Sequence, residues 1–173
     1  MRIALAVFLC LAVNLVPARA GSVDTAFSGA IGQFEAAFPH LPAELFGVDT
    51  ATYRDALTLR RFASAHWGSP VALRVEEGTA ANPSCARFAA FVRLPPQSGE
   101  VSLVLCPQFH TPGADALRTL TVLHELVHVV AGPDECRAMA FAAQVEHLAT
   151  GQFTDVARYW NANGCGRSGF ALP

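Results

Sequence analysis

The sequence predicts an α+β fold: helices at the N-terminal end, a small antiparallel sheet of about three strands, then a buried helix with a second helix folded back on it. Three patterns carry this expectation. Apolar residues recur at helical spacing up to about residue 67, alternate with period two from residue 70 onward, and cover almost the whole circumference of a segment between residues 111 and 132.

The first twenty residues stand apart. Arg2 supplies a short positive region, "IALAVFLCLAVNLV" is apolar, and "ARA" forms a small-x-small cleavage site before Gly21. This is the pattern of a removable signal peptide. The expectation is export, to a periplasm or the extracellular space, of a single domain over residues 21–173. No later run approaches the roughly 20 apolar residues that a membrane span needs.

In the remainder, Val23, Phe27, Ile31, Phe34 and Phe38 mark a first helix that "FPHLP" stops. A second is expected from about Thr52 to Trp67, ended by "GSP". "VALRVEE", "ARFAAFVRL" and "VSLVLC" are short, rich in strand formers and separated by turn residues, so they predict the three strands, the last two a hairpin. Thr111-Pro112 has the character of an N-cap with proline at the first helical position, and Gly132-Pro133 is a stop. Between them Leu117, Leu120, Val122, Leu123, Leu126, Val127, Val129 and Val130 leave little polar surface, which predicts a helix at the centre of the core. A further helix is expected over about Pro133–Ala149 and a last one over Thr154–Asn161, before a loop-like tail.

Composition narrows the partners. The chain has no lysine, and without Arg2 and Arg19 it keeps 10 arginines against 14 acidic residues, a formal charge of about −4. There is no basic run, so nucleic acid or an anionic membrane surface is not the expected partner. Beyond Cys10 remain Cys85, Cys106, Cys136 and Cys165, an even number that in an exported chain predicts two disulfides. Four cysteines allow three connectivities. The coarse layout favours Cys85–Cys106, at the ends of the hairpin, and Cys136–Cys165.

The polar residues that interrupt the apolar helix carry the chemistry. They read His124-Glu125-Leu126-Val127-His128. Residues four apart share a helix face, with Cβ atoms about 5–6 Å apart, so two imidazoles so placed converge on one zinc ion. Glu125, one step round, is positioned to take a proton from a zinc-bound water and later return it to a leaving amine. Burying three such groups without compensation would cost about 1–3 kcal/mol each. A metal removes that objection.

"HELVH" on a buried helix after a short sheet resembles the zincin metallopeptidases, and "VSLVLCPQF" followed about twenty residues later by "LHELVH" is similar to a segment of the deuterolysin-like aspzincins. The likeness spans roughly Val101 to Gln144. It implies a minimal zincin-like domain, a zinc ion held by His124 and His128, Glu125 as general base, and a peptide or protein substrate paired with "VSLVLC" or a neighbouring edge strand. The third ligand does not follow one subfamily. The deuterolysin-like Gly-Thr-x-Asp is absent. Asp134 stands six residues after His128, as in metzincins, while "DECRAMAFAAQ" is similar to the Glu-x-x-Ala helix of gluzincins and offers Glu135. Glu135 is favoured for its reach, with Asp134 the rival; the bland role for either is to complement a helix N-terminus. Cys106 is more naturally a disulfide partner, and His147 sits too far along the following helix. Candidate donors to an oxyanion are His110, Tyr159, Tyr53 and Arg137, each with a structural role as the simpler reading. Trp67 and Trp160 read as packing. The expected function is an exported zinc-dependent peptidase; the alternative is a catalytically silent exported binding protein whose metal is structural or absent.

Overall fold

The computed structural model describes residues 21–173, and the signal-peptide assignment to residues 1–20 lies outside the described residues. Helix α1 (Ser22–Ala37) buries Ala26, Phe27, Ala30, Phe34 and Ala37 on one face. A two-stranded ribbon of β1 (Glu44–Leu45) and β2 (Val48–Asp49) leads into α2 (Thr50–Leu57), whose N-cap Asp49 accepts the Thr52 N–H at 2.6 Å. The expected helix to Trp67 ends ten residues early: Thr58 caps it and Leu59 adopts φ 58°. The residues that follow form β3 (Phe62–Ser64), the first half of a hairpin with β4 (Ser69–Glu77).

The remaining strands are β5 (Ala90–Gln97) and β6 (Glu100–Leu105). The sheet has four strands in the order β3-β4-β6-β5 and is mixed, not antiparallel with three: β4 and β6 run parallel from Ala72↔Glu100 to Glu77↔Leu105. After β4 the chain skips one strand position, forms β5, and returns by a tight turn so that β6 fills the gap. Gly78 makes the crossing possible. Its N–H donates to the Leu105 carbonyl at 2.7 Å, and a Cβ there would lie 2.8 Å from Cys85 Sγ and 2.9 Å from Val104 Cγ1. The Cys85–Cys106 disulfide clamps this crossing, with Cys85 in a 3-10 turn (Pro83–Ala86) ahead of β5 rather than at the strand's start. Because β6 is paired on both sides, "VSLVLC" has no free edge; the exposed edge of this side of the sheet is β5.

Helix α3 (Asp115–Ala131) starts later than Thr111-Pro112 suggests, since a 3-10 turn (Pro107–His110) and a left-handed Gly113 come first. From Leu120 to Ala131 it is buried on nearly every side except at Thr121, as its composition requires. Leu117 is the departure, 54% exposed. A link of Gly132, Pro133 and Asp134 turns the chain into α4 (Glu135–Thr150), so Pro133 lies outside the helix and Asp134 is its N-cap. The short α5 (Ala157–Ala162) follows a loop held by Glu146, whose carboxylate accepts the Thr154 N–H and hydroxyl at 2.7 and 3.0 Å. The second disulfide, Cys136–Cys165, ties the first turn of α4 to the C-terminal segment. Both disulfides join the cysteines that the layout favoured. The helices α1, α2, α3 and α4 and the sheet share one hydrophobic core, and no helix among the described residues is long and apolar enough to cross a membrane.

Candidate metal centre

The polar residues of α3 meet the first turn of α4. His124 and His128, four apart, face the same way, and the three-residue link returns the chain so that Glu135 reaches them. His124 Nε2 lies 3.1 Å from His128 Nε2 and 3.1 Å from Glu135 Oε2; the third side, His128 Nε2 to Glu135 Oε2, is 3.5 Å. Three atoms that all carry lone pairs make poor neighbours unless something positive lies among them. Bonds of about 2.0–2.1 Å at tetrahedral angles put ligand atoms about 3.3 Å apart, close to all three spacings. The donor set therefore fits a metal ion in size and chemistry.

The surroundings orient the ligands. His128 Nδ1–H donates to the Gly132 carbonyl at 2.9 Å, which leaves Nε2 as the lone-pair nitrogen. Gly132 has φ 86° and ψ −171°, a conformation almost confined to glycine, and a Cβ there would lie 2.4 Å from His66 Nε2. Trp67 Nε1–H donates to the Val129 carbonyl at 2.7 Å, so the β3–β4 turn braces the end of α3 beside the ligand. His124 Nδ1 is buried with no hydrogen-bond partner among the described residues. Sequence reasoning assigned no part to His66 and read Gly132 only as a helix stop; nothing in a linear pattern says that its carbonyl orients the His128 ring.

The electrostatics match a cation. Glu125 and Glu135 bring two carboxylates to two imidazoles in a largely buried site. Burial pushes the Glu125 carboxyl up, against the opposing pull of His124 and His128. For His128, burial alone would lower the pKa, but Glu135, Glu125 and the Gly132 carbonyl together raise it. Glu135 is held well below the usual carboxylate range: burial opposes ionisation, and hydrogen bonds with His124, His128 and Tyr159 overcome it. A proton on these groups would take the role of a metal, so the two would compete.

The rival ligand is accounted for otherwise. Asp134 Oδ1 accepts the Arg137 N–H at 2.9 Å as the N-cap of α4, while Glu135, its first helical residue, faces the imidazoles. Of the four oxyanion candidates only Tyr159 stands at the cluster. Its hydroxyl donates to Glu135 Oε2, its ring meets His124 edge-on at 5.8 Å, and burial together with Glu135 raises its pKa so that it stays protonated. Tyr53 donates to the Leu123 carbonyl, Arg137 to the Ala131 carbonyl, and His110 lies between Ser22 and Glu77. His147, at the other end of α4, packs against Phe153.

The cluster opens to solvent through a cleft of about 140 Å³ lined by Glu125, His128, Glu135, Tyr159, Val92 and Leu94. The last two belong to the edge strand β5, and the Val92 N–H helps to stabilise the Glu125 charge. The fold and site thus define a mixed α/β chain with a His-His-Glu cluster, its two histidines buried and its glutamate partly open to solvent, suited to a metal ion. No protein-family model, no curated protein and no solved structure matches this chain.

Proposed function

We propose that the chain is an exported, zinc-dependent peptidase of the zincin kind, with His124, His128 and Glu135 as metal ligands and Glu125 as general base. The observation that carries this reading is the convergence of three ligand atoms within 4.8 Å of one another, beside a buried carboxylate and at the mouth of a cleft. Two imidazoles and one carboxylate form a donor set that zinc enzymes use with a position left open. The two disulfides suit an oxidising compartment.

A zinc ion held there supplies Lewis acidity, which acidifies water and polarises a peptide carbonyl. The protein's own groups do the rest. Glu125, its proton affinity raised by burial, accepts a proton from the attacking water and passes it to the leaving amine. Tyr159, protonated at neutral pH, turns its single hydroxyl proton from Glu135 to the oxygen that becomes negative. The free edge of β5 offers main-chain groups to an extended substrate, the part that the doubly paired β6 is unable to play.

Purified protein should hold about one zinc per chain, and Glu125→Gln should keep it while lowering hydrolysis of an unfolded protein substrate by about 10²–10⁴-fold. Zinc retained with no hydrolysis, and no effect of the glutamine variant, would favour a silent binding protein instead.

A further inference from the structure

Beside the metal cluster, on the side of His124 away from His128, lies a larger cavity of about 460 Å³. This is within the range of about 300–1,000 Å³ typical of ligand pockets. Its walls come from four separate parts of the chain: Phe88 before β5, Leu117 and Leu120 on α3, Met139 on α4 and Val156 before α5. His124 and Glu125 form its inner end. Two of the wall residues, Phe88 and Leu117, are 39% and 54% exposed, and they are two of the three large apolar side chains among the described residues left in water to that extent. Apolar surface concentrated at the rim of a cavity marks a place where something apolar sits.

The mouth carries charge of one predominant sign. Arg87 and Arg158 line it, and neither has an acidic partner among the described residues; Arg87 lies over the Phe88 ring at 5.1 Å. Asp155, the one acid beside them, accepts the Ala157 N–H at 2.9 Å. Two unpaired guanidinium groups at the rim of an apolar cavity suit a carboxylate next to an apolar group.

Strand β5 supplies a direction. Val92 lies beside Glu125, and Ala90, the first residue of the strand, lines the cavity together with residues 87–89 just before it. A peptide pairing antiparallel with β5, the more stable pairing, runs from the Gln97 end towards the Ala90 end. It passes Glu125 first and the cavity next, so the cavity receives a residue on the C-terminal side of the bond beside Glu125.

We propose that this cavity seats a large apolar side chain, that of the residue following the cleaved peptide bond, and that Arg87 and Arg158 hold a carboxylate adjoining it. The assignment to the residue after the bond rests on the peptidase reading; the seating of an apolar side chain with a neighbouring carboxylate does not. The carboxylate has two possible sources, an acidic side chain in the next position or the free C-terminus of the peptide.

Binding tests this without turnover. Fluorescein-labelled peptides Gly-Ala-Ala-Phe-Asp-Ala-amide, the same with Phe replaced by Ala or Asp by Asn, and Gly-Ala-Ala-Phe ending in carboxylate or amide are titrated into zinc-loaded Glu125→Gln protein and followed by anisotropy. Replacing Phe by Ala should weaken binding on the order of ten- to a hundredfold. Replacing Asp by Asn, or the free terminus by amide, should weaken it about two- to fivefold, fading with salt, and whichever change acts names the source. Leu117→Asp and Arg87→Glu, both at exposed positions, should erase the respective preferences. No binding, or binding indifferent to Phe, overturns the proposal whether or not the wild type hydrolyses peptides. Preference for Phe without any hydrolysis upholds the cavity and sinks the peptidase reading. Cleavage by the wild type after Phe rather than before it overturns the position assigned to the cavity.

Discussion

Glu135→Gln and Asp134→Ala, adjacent on the chain, should fail in different ways. Glu135 Oε2 stands 3.1 and 3.5 Å from two imidazole nitrogens whose side chains are 7% and 5% exposed. Glutamine keeps the shape but removes the charge. A group that merely orients a metal ligand is worth about 10–100-fold in affinity, so losing a direct charged ligand should cost at least the upper figure, about 2.7 kcal/mol. Zinc at a thousand times the wild-type dissociation constant stabilises the wild type by about 4.1 kcal/mol, and the variant at the same concentration by only about 1.4 kcal/mol. Asp134→Ala instead removes the cap that accepts the Arg137 N–H at 2.9 Å. That should cost about 1 kcal/mol of stability with or without metal, a fall of about 2–4 °C in Tm for a chain of this size, and leave zinc affinity unchanged. Competition against a chromophoric chelator, with thermal unfolding at matched zinc concentrations, reads both. If the alanine variant loses zinc as strongly as the glutamine variant, or the glutamine variant binds as the wild type does, the assignment of Glu135 is wrong.

Other outcomes follow from the same geometry. Tyr159→Phe should lower kcat about 10²–10³-fold with little change in KM, because it removes a donor to the developing negative charge; an unchanged kcat would restrict Tyr159 to bracing Glu135. Gly132→Ala forces a side chain into a glycine conformation and against His66, and should cost about 1–3 kcal/mol in urea unfolding. It should also weaken zinc about tenfold through His128, whereas Gly151→Ala, at a left-handed cap with open space around it, should spare zinc binding. Metal-free protein should be most stable on the acid side of neutrality. Glu125 and His128 both titrate higher folded than unfolded, so their contributions are present below about 4.3 and 6.5 respectively and are lost as pH rises through the raised values. Glu135 has the opposite sign, contributing above about 4.3 and losing that contribution as pH falls through its depressed value. Urea unfolding with chelator from pH 4 to 8 should show stability falling toward pH 8, and saturating zinc should offset that fall.

Local patterns were legible where one element settles them. The apolar circumference of residues 120–131 requires a buried helix, and the spacing of His124, Glu125 and His128 needs nothing beyond helical geometry to put two imidazoles on one face. The disulfide pairs followed from which ends the elements bring together. Where local preference is weak, the reading failed. Residues 58–67 look helical by composition, yet Phe62–Ser64 pair with β4, a contact whose value depends on a partner strand.

By itself, then, the sequence determined the central helix and the shared face of His124 and His128 with Glu125 one step round, because the i, i+4 relation is a property of the backbone and travels with the residues. Only the tertiary structure decided the rest. The parallel pairing of β4 with β6 depends on how the chain crosses at Gly78, and that crossing leaves β5 as the free edge. The choice of Glu135 over Asp134 turned on where α4 begins: one residue became the N-cap, bound to the helix's own N–H, and the next turned toward the imidazoles. A shift of one position in a helix start exchanges those directions, and no periodicity in the sequence measures it.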